Sequence, residues 1–257
     1  MYPKLFSIGN FDIYAYGFIT MVAALISLLY MSYVAKRDFN IEGYKIQTLA
    51  VLIIVSAVFG GKLFFFFEDP SFYFQSFSNL TKNFRTGFVF YGSLFFVIPV
   101  TIWYFKKEKW PLWPMMDYLA IMACILHGMG RLGCFLAGCC YGIPTDLPWG
   151  VTFSDSLSRA KPLHVPLHPT QLYSAGLIFS ILVFLLMLKR HKRFDGQLFF
   201  IYIILYTAGR GIIEIFRGDE ARGFVFDTII SHSQLISILL ITVAVWFYVR
   251  FRKKANL

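Results

Sequence analysis

The chain alternates long apolar runs with short charged connectors. Seven apolar segments stand out, at about 13–35, 46–67, 88–105, 115–133, 169–188, 196–216 and 233–250. Each approaches the ~20 residues that an α-helix needs to cross a bilayer. The pattern predicts an all-α integral membrane protein, a bundle of about seven transmembrane helices forming one polytopic domain over 1–257. The run at 13–35 is uncharged and lacks a small-residue cleavage site, so it reads as the first span and not as a cleavable leader. The longest connection, 134–168, is rich in Gly, Pro and Cys and contains Trp149 and Phe153. It is expected to be a packed functional loop.

Composition narrows the class. Hydrophobic residues make up 58% of the chain and charged residues 15%, against roughly 45–50% and 25% in soluble domains. This balance excludes a secreted disulfide scaffold, a disordered protein and a cytosolic enzyme. The net charge of +10 would suggest nucleic acid in a soluble protein. Here the basic residues lie mostly between apolar runs, so anionic lipid and topology explain them and no nucleic-acid partner is expected. Fourteen basic residues fall on one side: Lys36, Arg37, Lys45, Lys106, Lys107, Lys109, Lys189, Arg190, Lys192, Arg193, Arg250, Arg252, Lys253 and Lys254. Seven fall on the other: Lys4, Lys82, Arg85, Arg159, Lys161, Arg217 and Arg222. The bias predicts a cytoplasmic C-terminus, an outward N-terminus and an outward 134–168 loop.

Ionisable groups at membrane depth cost roughly 2.5–3.5 kcal/mol on insertion scales and mark function. Arg131 follows Gly128 and Gly130 near the end of the fourth run, where glycines admit another backbone or a lipid headgroup. Arg210 and Glu214 are spaced i,i+4 on the sixth run, with Arg217 three residues further, an array suited to a buried ion-pair ladder. Guanidinium groups match phosphate in bidentate geometry. Lys62 and Glu68 are expected to snorkel from the second run toward the headgroups. The His168-Pro169-Thr170-Gln171-Leu172-Tyr173 run opens the fifth span, with Pro169 in its first turn. Gln171 and Tyr173 offer hydrogen bonds to a headgroup or peptide.

These motifs together resemble the prolipoprotein diacylglyceryl transferase family over most of the chain. Tyr14-Ala15-Tyr16-Gly17 resembles the family's start to its first span, and Gly60-Gly61-Lys62 its Gly-Gly-basic turn. Phe90-Tyr91-Gly92-Ser93-Leu94 aligns with a segment that usually holds His-Gly-Gly, and the stretch from Gly130 through Gly142 with the family signature. His168 to Tyr173 and Tyr206 to Arg217 complete the set. The departures are specific. Tyr91 stands where the family has histidine. Cys134, Ala137 and Cys139 replace Asn, Asn and Glu, and Ser174 replaces Glu.

The resemblance implies a seven-span, N-out enzyme of the bacterial inner membrane. It would transfer the diacylglyceryl group of phosphatidylglycerol to the lipobox cysteine of a prolipoprotein signal peptide, releasing glycerol phosphate. No metal or organic cofactor is required. Arg131 and Arg210 would bind phosphate, Glu214 would fix Arg210, and Tyr16, Tyr91 and Tyr206 would orient oxygen atoms. Gly130, Gly142, Gln171 and Arg217 complete the substrate-binding set. Proton acceptors for the thiol are His127, one helical turn before Arg131, then His168 and Tyr91. The alternatives are a related phospholipid-dependent transferase with another acceptor, and a non-enzymatic lipid-binding protein.

Cys134, Cys139 and Cys140 fall within seven residues. Their first reading is small side chains packing a tight glycine-rich loop. A disulfide, a catalytic thiol and a metal site with His127 are the alternatives, and the adjacent position of Cys140 fits tetrahedral zinc spacing poorly.

Overall fold

The computed structural model describes residues 2–9, 11–76, 78–79, 87–218, 224–225 and 230–255. Lys82, Arg85 and Arg222 of the charge count lie outside them. All seven apolar segments lie on helices: α1 (Ala15–Phe39), α2 (Gly43–Glu68), α4 (Phe90–Lys107), α5 (Leu112–Ala137), α6 (Thr170–Leu188), α7 (Gln197–Ile213) and α8 (His232–Ala255), with the single turn α3 (Pro70–Tyr73) after α2. Among the described residues, six helices are long and apolar enough to cross a membrane. The remaining apolar helix, α4, has 18 residues with Pro99 inside. The protein is therefore an all-α multi-pass membrane protein. Short antiparallel pairs join the helices: β1 (Lys4–Ile8) with β2 (Phe11–Tyr14), β3 (Val151–Thr152) with β4 (Pro166–Leu167), and β5 (Phe224–Val225) with β6 (Ile230–Ser231).

The helix ends obey local chemistry. The last turn of α1 carries Lys36 and Arg37, cations placed where the helix dipole is negative. Asn40 then turns left-handed at φ 52° and ends the helix.

The chain folds as two compact units, residues 31–112 and residues 1–30 with 113–257. In the first, α2 packs along α4. A Cβ at Gly60 would overlap the carbonyl of Gly92, and one at Gly61 would overlap the ring of Phe88. The Gly60-Gly61-Lys62 motif, expected as a turn, is instead a mid-helix stretch whose missing side chains allow close backbone approach. Lys62 Nζ donates to the Gly87 carbonyl at 2.7 Å, so its cation is used inside this unit.

In the second unit, Ala120, Ile121 and Cys124 of α5 interlock with Ile178, Ile181 and Leu185 of α6 and Leu198 of α7. Asp117, 1% exposed, reaches from α5 to the start of α7. Its carboxylate accepts from the backbone N–H groups of Gly196 at 3.0 Å, Leu198 at 2.9 Å and Phe199 at 3.2 Å, and from Lys192 Nζ at 3.1 Å. An anion from a neighbouring helix thus satisfies the orphan donors at the N-terminus of α7. The loop after α5 begins at Gly138, because the helix runs four residues beyond the predicted break at 134. Its own small core is Tyr141, Phe153, Ala160 and Leu167.

Candidate active site

The site grows from the C-terminus of α5. Gly138 N–H bonds to the Phe135 carbonyl at 3.3 Å and Cys139 N–H to the Cys134 carbonyl at 3.1 Å. This is a Schellman cap with Gly138 left-handed at φ 74°. The cap apposes the residue after the glycine with the one five positions earlier, so it brings Cys139 onto Cys134. Cys140 follows, also left-handed at φ 58°, a conformation costing a non-glycine residue roughly 1–2 kcal/mol. The three Sγ atoms lie within 4.8 Å of one another. All four cysteines are free thiols. The adjacent position of Cys140 is therefore no obstacle to convergence, because two successive left-handed turns fold it back. His127, considered as a fourth partner, is not in the cluster.

The opening of α6 holds this turn in place. Thr170 Oγ1 donates to the Cys140 carbonyl at 2.7 Å and Gln171 Nε2 to the Cys139 carbonyl at 2.8 Å. Gln171 is fully buried, and its Oε1 has no donor among the described residues. The Cys140 thiol is held below its ordinary range by hydrogen bonds from Cys134 and Cys139, with Arg131 and Arg217 adding positive charge.

Arg131 lies on α5 one turn before Cys134, half-buried. Among the described residues it makes no ion pair. Arg210 differs: it is ion-paired with Glu214, whose carboxylate side chain is 4% exposed. The regular helical array ends there. Beyond Ile213 the helix tightens into a 3₁₀ turn, Glu214–Phe216, and Arg217 takes extended backbone, φ −77° and ψ 141°. Arg217 leaves the helical face because its backbone pairs with Gly142 as an antiparallel bridge. Around that bridge Gly142 N–H bonds to the His168 carbonyl at 2.9 Å and Ile143 N–H to the Phe216 carbonyl at 2.9 Å. A Cβ at Gly142 would overlap both carbonyls, which explains the glycine.

His127 Nε2 faces Tyr206 Oη at 3.5 Å, with the rings edge-to-face at 4.7 Å. Arg131 and Arg210 both lie within electrostatic reach of His127, and Tyr206 within reach of Arg131. Tyr16 at the start of α1 packs on Gly133, where a Cβ would come 3.2 Å from its ring. It too is within electrostatic reach of Arg131 and the three thiols. At Gly130 a Cβ would meet nothing within 4 Å, so the helix presents open space there.

His168 is buried. Trp149 Nε1 donates to Tyr173 Oη at 2.8 Å, and the same hydroxyl lies 3.1 Å from His168 Nδ1, so the three side chains form one hydrogen-bonded chain.

Eleven of the twelve predicted site residues thus share one unit, and Tyr91, opening α4, belongs to the 31–112 unit. Two features escape a linear reading. The thiol convergence depends on a helix cap, although Gly138 flanked by Cys134 and Cys139 signals it. Asp117 is a lone acid in an apolar run, a pattern that signals an interhelical cap.

The sequence also matches proteins of known name. A family profile described as prolipoprotein diacylglyceryl transferase matches residues 3–250. The chain is 35% identical to a phosphatidylglycerol--prolipoprotein diacylglyceryl transferase of Clostridium tetani, over 99% of this chain and 100% of that protein. It is 32% identical to a second such transferase, from Clostridium perfringens, over 94% and 92% of the two chains. A Campylobacter curvus transferase of the same name is 31% identical over 93% and 89%. With a match that runs through every spanning helix and the thiol turn alike, the chain belongs to the prolipoprotein diacylglyceryl transferase family.

Proposed function

We propose that this protein transfers the diacylglyceryl group of phosphatidylglycerol to the lipobox cysteine of a prolipoprotein, releasing glycerol phosphate and leaving a thioether. The observation that carries this reading is the asymmetry of the two intramembrane arginines. Arg210 has its charge balanced by buried Glu214. Arg131 has no carboxylate partner among the described residues, and a half-buried cation in a spanning helix calls for an anion. A phosphodiester headgroup supplies one.

Arg131 binds the phosphate and stabilises the charge that grows on it as the carbon–oxygen bond breaks. Arg210, held by Glu214, adds to the same field, and Arg217 is bridged to Gly142 through its backbone. Tyr206 and Tyr16 orient headgroup oxygens. The open space at Gly130 admits the lipid. His127, on the α5 turn before Arg131, takes the acceptor proton. Buried His168 and Tyr173 face each other beside the loop, while Gln171 and Gly142 hold the loop itself.

The basic connectors support an N-out arrangement in a bacterial inner membrane, with the loop after α5 facing outward. The test is direct. Purified protein with phosphatidylglycerol and a lipobox peptide should yield diacylglyceryl peptide and glycerol phosphate, seen by mass spectrometry. Absence of product, or full activity in Arg131→Ala, would overturn the assignment. Thiol labelling of a cysteine placed in the 189–195 connector checks orientation; modification from outside intact cells contradicts it.

A further inference from the structure

The three converging thiols are left unused by the transfer scheme. From their convergence we infer that Cys134, Cys139 and Cys140 form a three-thiolate site for Zn²⁺, whose open fourth position takes the acceptor thiol. The second half of this inference rests on the proposed transfer reaction.

Three geometric facts carry it. The sulfurs already lie within 4.8 Å of one another. A tetrahedral zinc with Zn–S of about 2.3 Å needs S···S separations of about 3.8 Å, so the cluster has to contract by at most about 1 Å. Cys140 is held left-handed, a conformation glycine would adopt freely, and that backbone folds its side chain toward the other two. Thr170 and Gln171 anchor the Cys139 and Cys140 carbonyls from a separate helix, so the turn is braced. Soft thiolates select zinc among the common divalent ions.

Charge also fits. Zinc with three thiolates carries one net negative charge, and Arg131 and Arg217 lie within electrostatic reach of Cys140. No fourth protein ligand joins the three sulfurs among the described residues. Three protein ligands with one free position is the arrangement of catalytic zinc sites. The substrate of the proposed reaction is itself a thiol that must be ionised.

The step balances as follows. The acceptor R–SH binds zinc as R–S⁻, and its proton passes through water to His127. The bound sulfur donates its electron pair to the terminal CH₂ of the diacylglyceryl group. The carbon–oxygen bond to phosphate breaks, and its electron pair leaves on glycerol phosphate. The new thioether is a weak ligand and dissociates from zinc. Nothing is oxidised or reduced.

The experiment uses the full chain purified in detergent under reducing conditions. Metal analysis should find stoichiometric zinc, and Co²⁺ exchange should produce a thiolate-to-cobalt charge-transfer band. Cys140→Gly keeps the left-handed turn without strain, so it should fold normally, lose the band and lose zinc. A free thiol of pKa about 8.5 is only a few per cent ionised at pH 7. Full ionisation, discounted for the lower nucleophilicity of a stabilised thiolate, is worth about five- to thirtyfold. Chelation and Cys140→Gly should each slow transfer by that factor, and zinc should rescue only the chelated wild type. No cobalt band in the wild type would overturn the site. A band with transfer indifferent to chelation would overturn the acceptor step. A band in a protein that transfers nothing to lipobox peptide would leave the metal site standing and remove the transfer reading.

Discussion

Replacing Arg131 and Arg210 separately by alanine should separate chemistry from folding. Arg131 has no ion pair among the described residues, so its removal strands no buried carboxylate. Its loss should leave the unfolding midpoint within about 2 °C of wild type, while removing a preorganised donor costs about 10²–10³ in rate. Arg210→Ala removes the ion-pair partner of Glu214, whose side chain is 4% exposed. Breaking a buried ion pair by removing one partner costs about 3–5 kcal/mol. At about 2–4 °C per kcal/mol for a chain of this size, the midpoint should fall by about 10 °C. Arg210→Ala combined with Glu214→Ala should recover much of that fall without recovering activity. The assay is paired: thermal unfolding in detergent, and kcat/KM for lipobox peptide with phosphatidylglycerol. If Arg131→Ala retains activity within about threefold, or loses as much stability as Arg210→Ala, the division into a ligand-binding and a structurally paired arginine is wrong.

The histidines should divide in a pH–rate profile. His127→Gln should lose about ten- to thirtyfold, the range that ionising the acceptor thiol is worth, and flatten the acid limb, whereas His168→Gln should lose less than about threefold. A reversed order would move the base to His168. Gly142→Ala should abolish folding-competent expression, since its Cβ would overlap two carbonyls, whereas Gly130→Ala should express normally and raise the KM for lipid. Normal expression of Gly142→Ala would refute the close approach. Asp117→Ala should destabilise by several kcal/mol, because three backbone N–H donors of α7 lose their acceptor. A midpoint change under about 2 °C would show that another group caps the helix.

Hydrophobic run length was enough to place all seven long helices, since crossing a bilayer demands about twenty apolar residues whatever the fold. The i,i+4 spacing of Arg210 and Glu214 was enough to pair them, because helical periodicity is local. Local spacing failed where the helix itself ended. Arg217 was expected one turn further along the same face, yet a 3₁₀ turn and a bridge to Gly142 carry it off. Gly60-Gly61-Lys62 resembled a turn, but helix packing made it an interhelical contact. Cys140 looked badly spaced because spacing rules assume ordinary backbone, and a Schellman cap followed by a second left-handed residue reverses the chain in two steps. The role of Asp117 is not legible in its own segment because its backbone partners lie some eighty residues away. Runs and periods are properties of neighbouring residues. Caps, bridges and convergent sulfurs depend on where distant segments meet, and that meeting is settled by burying apolar helix faces and satisfying the backbone groups left at their ends.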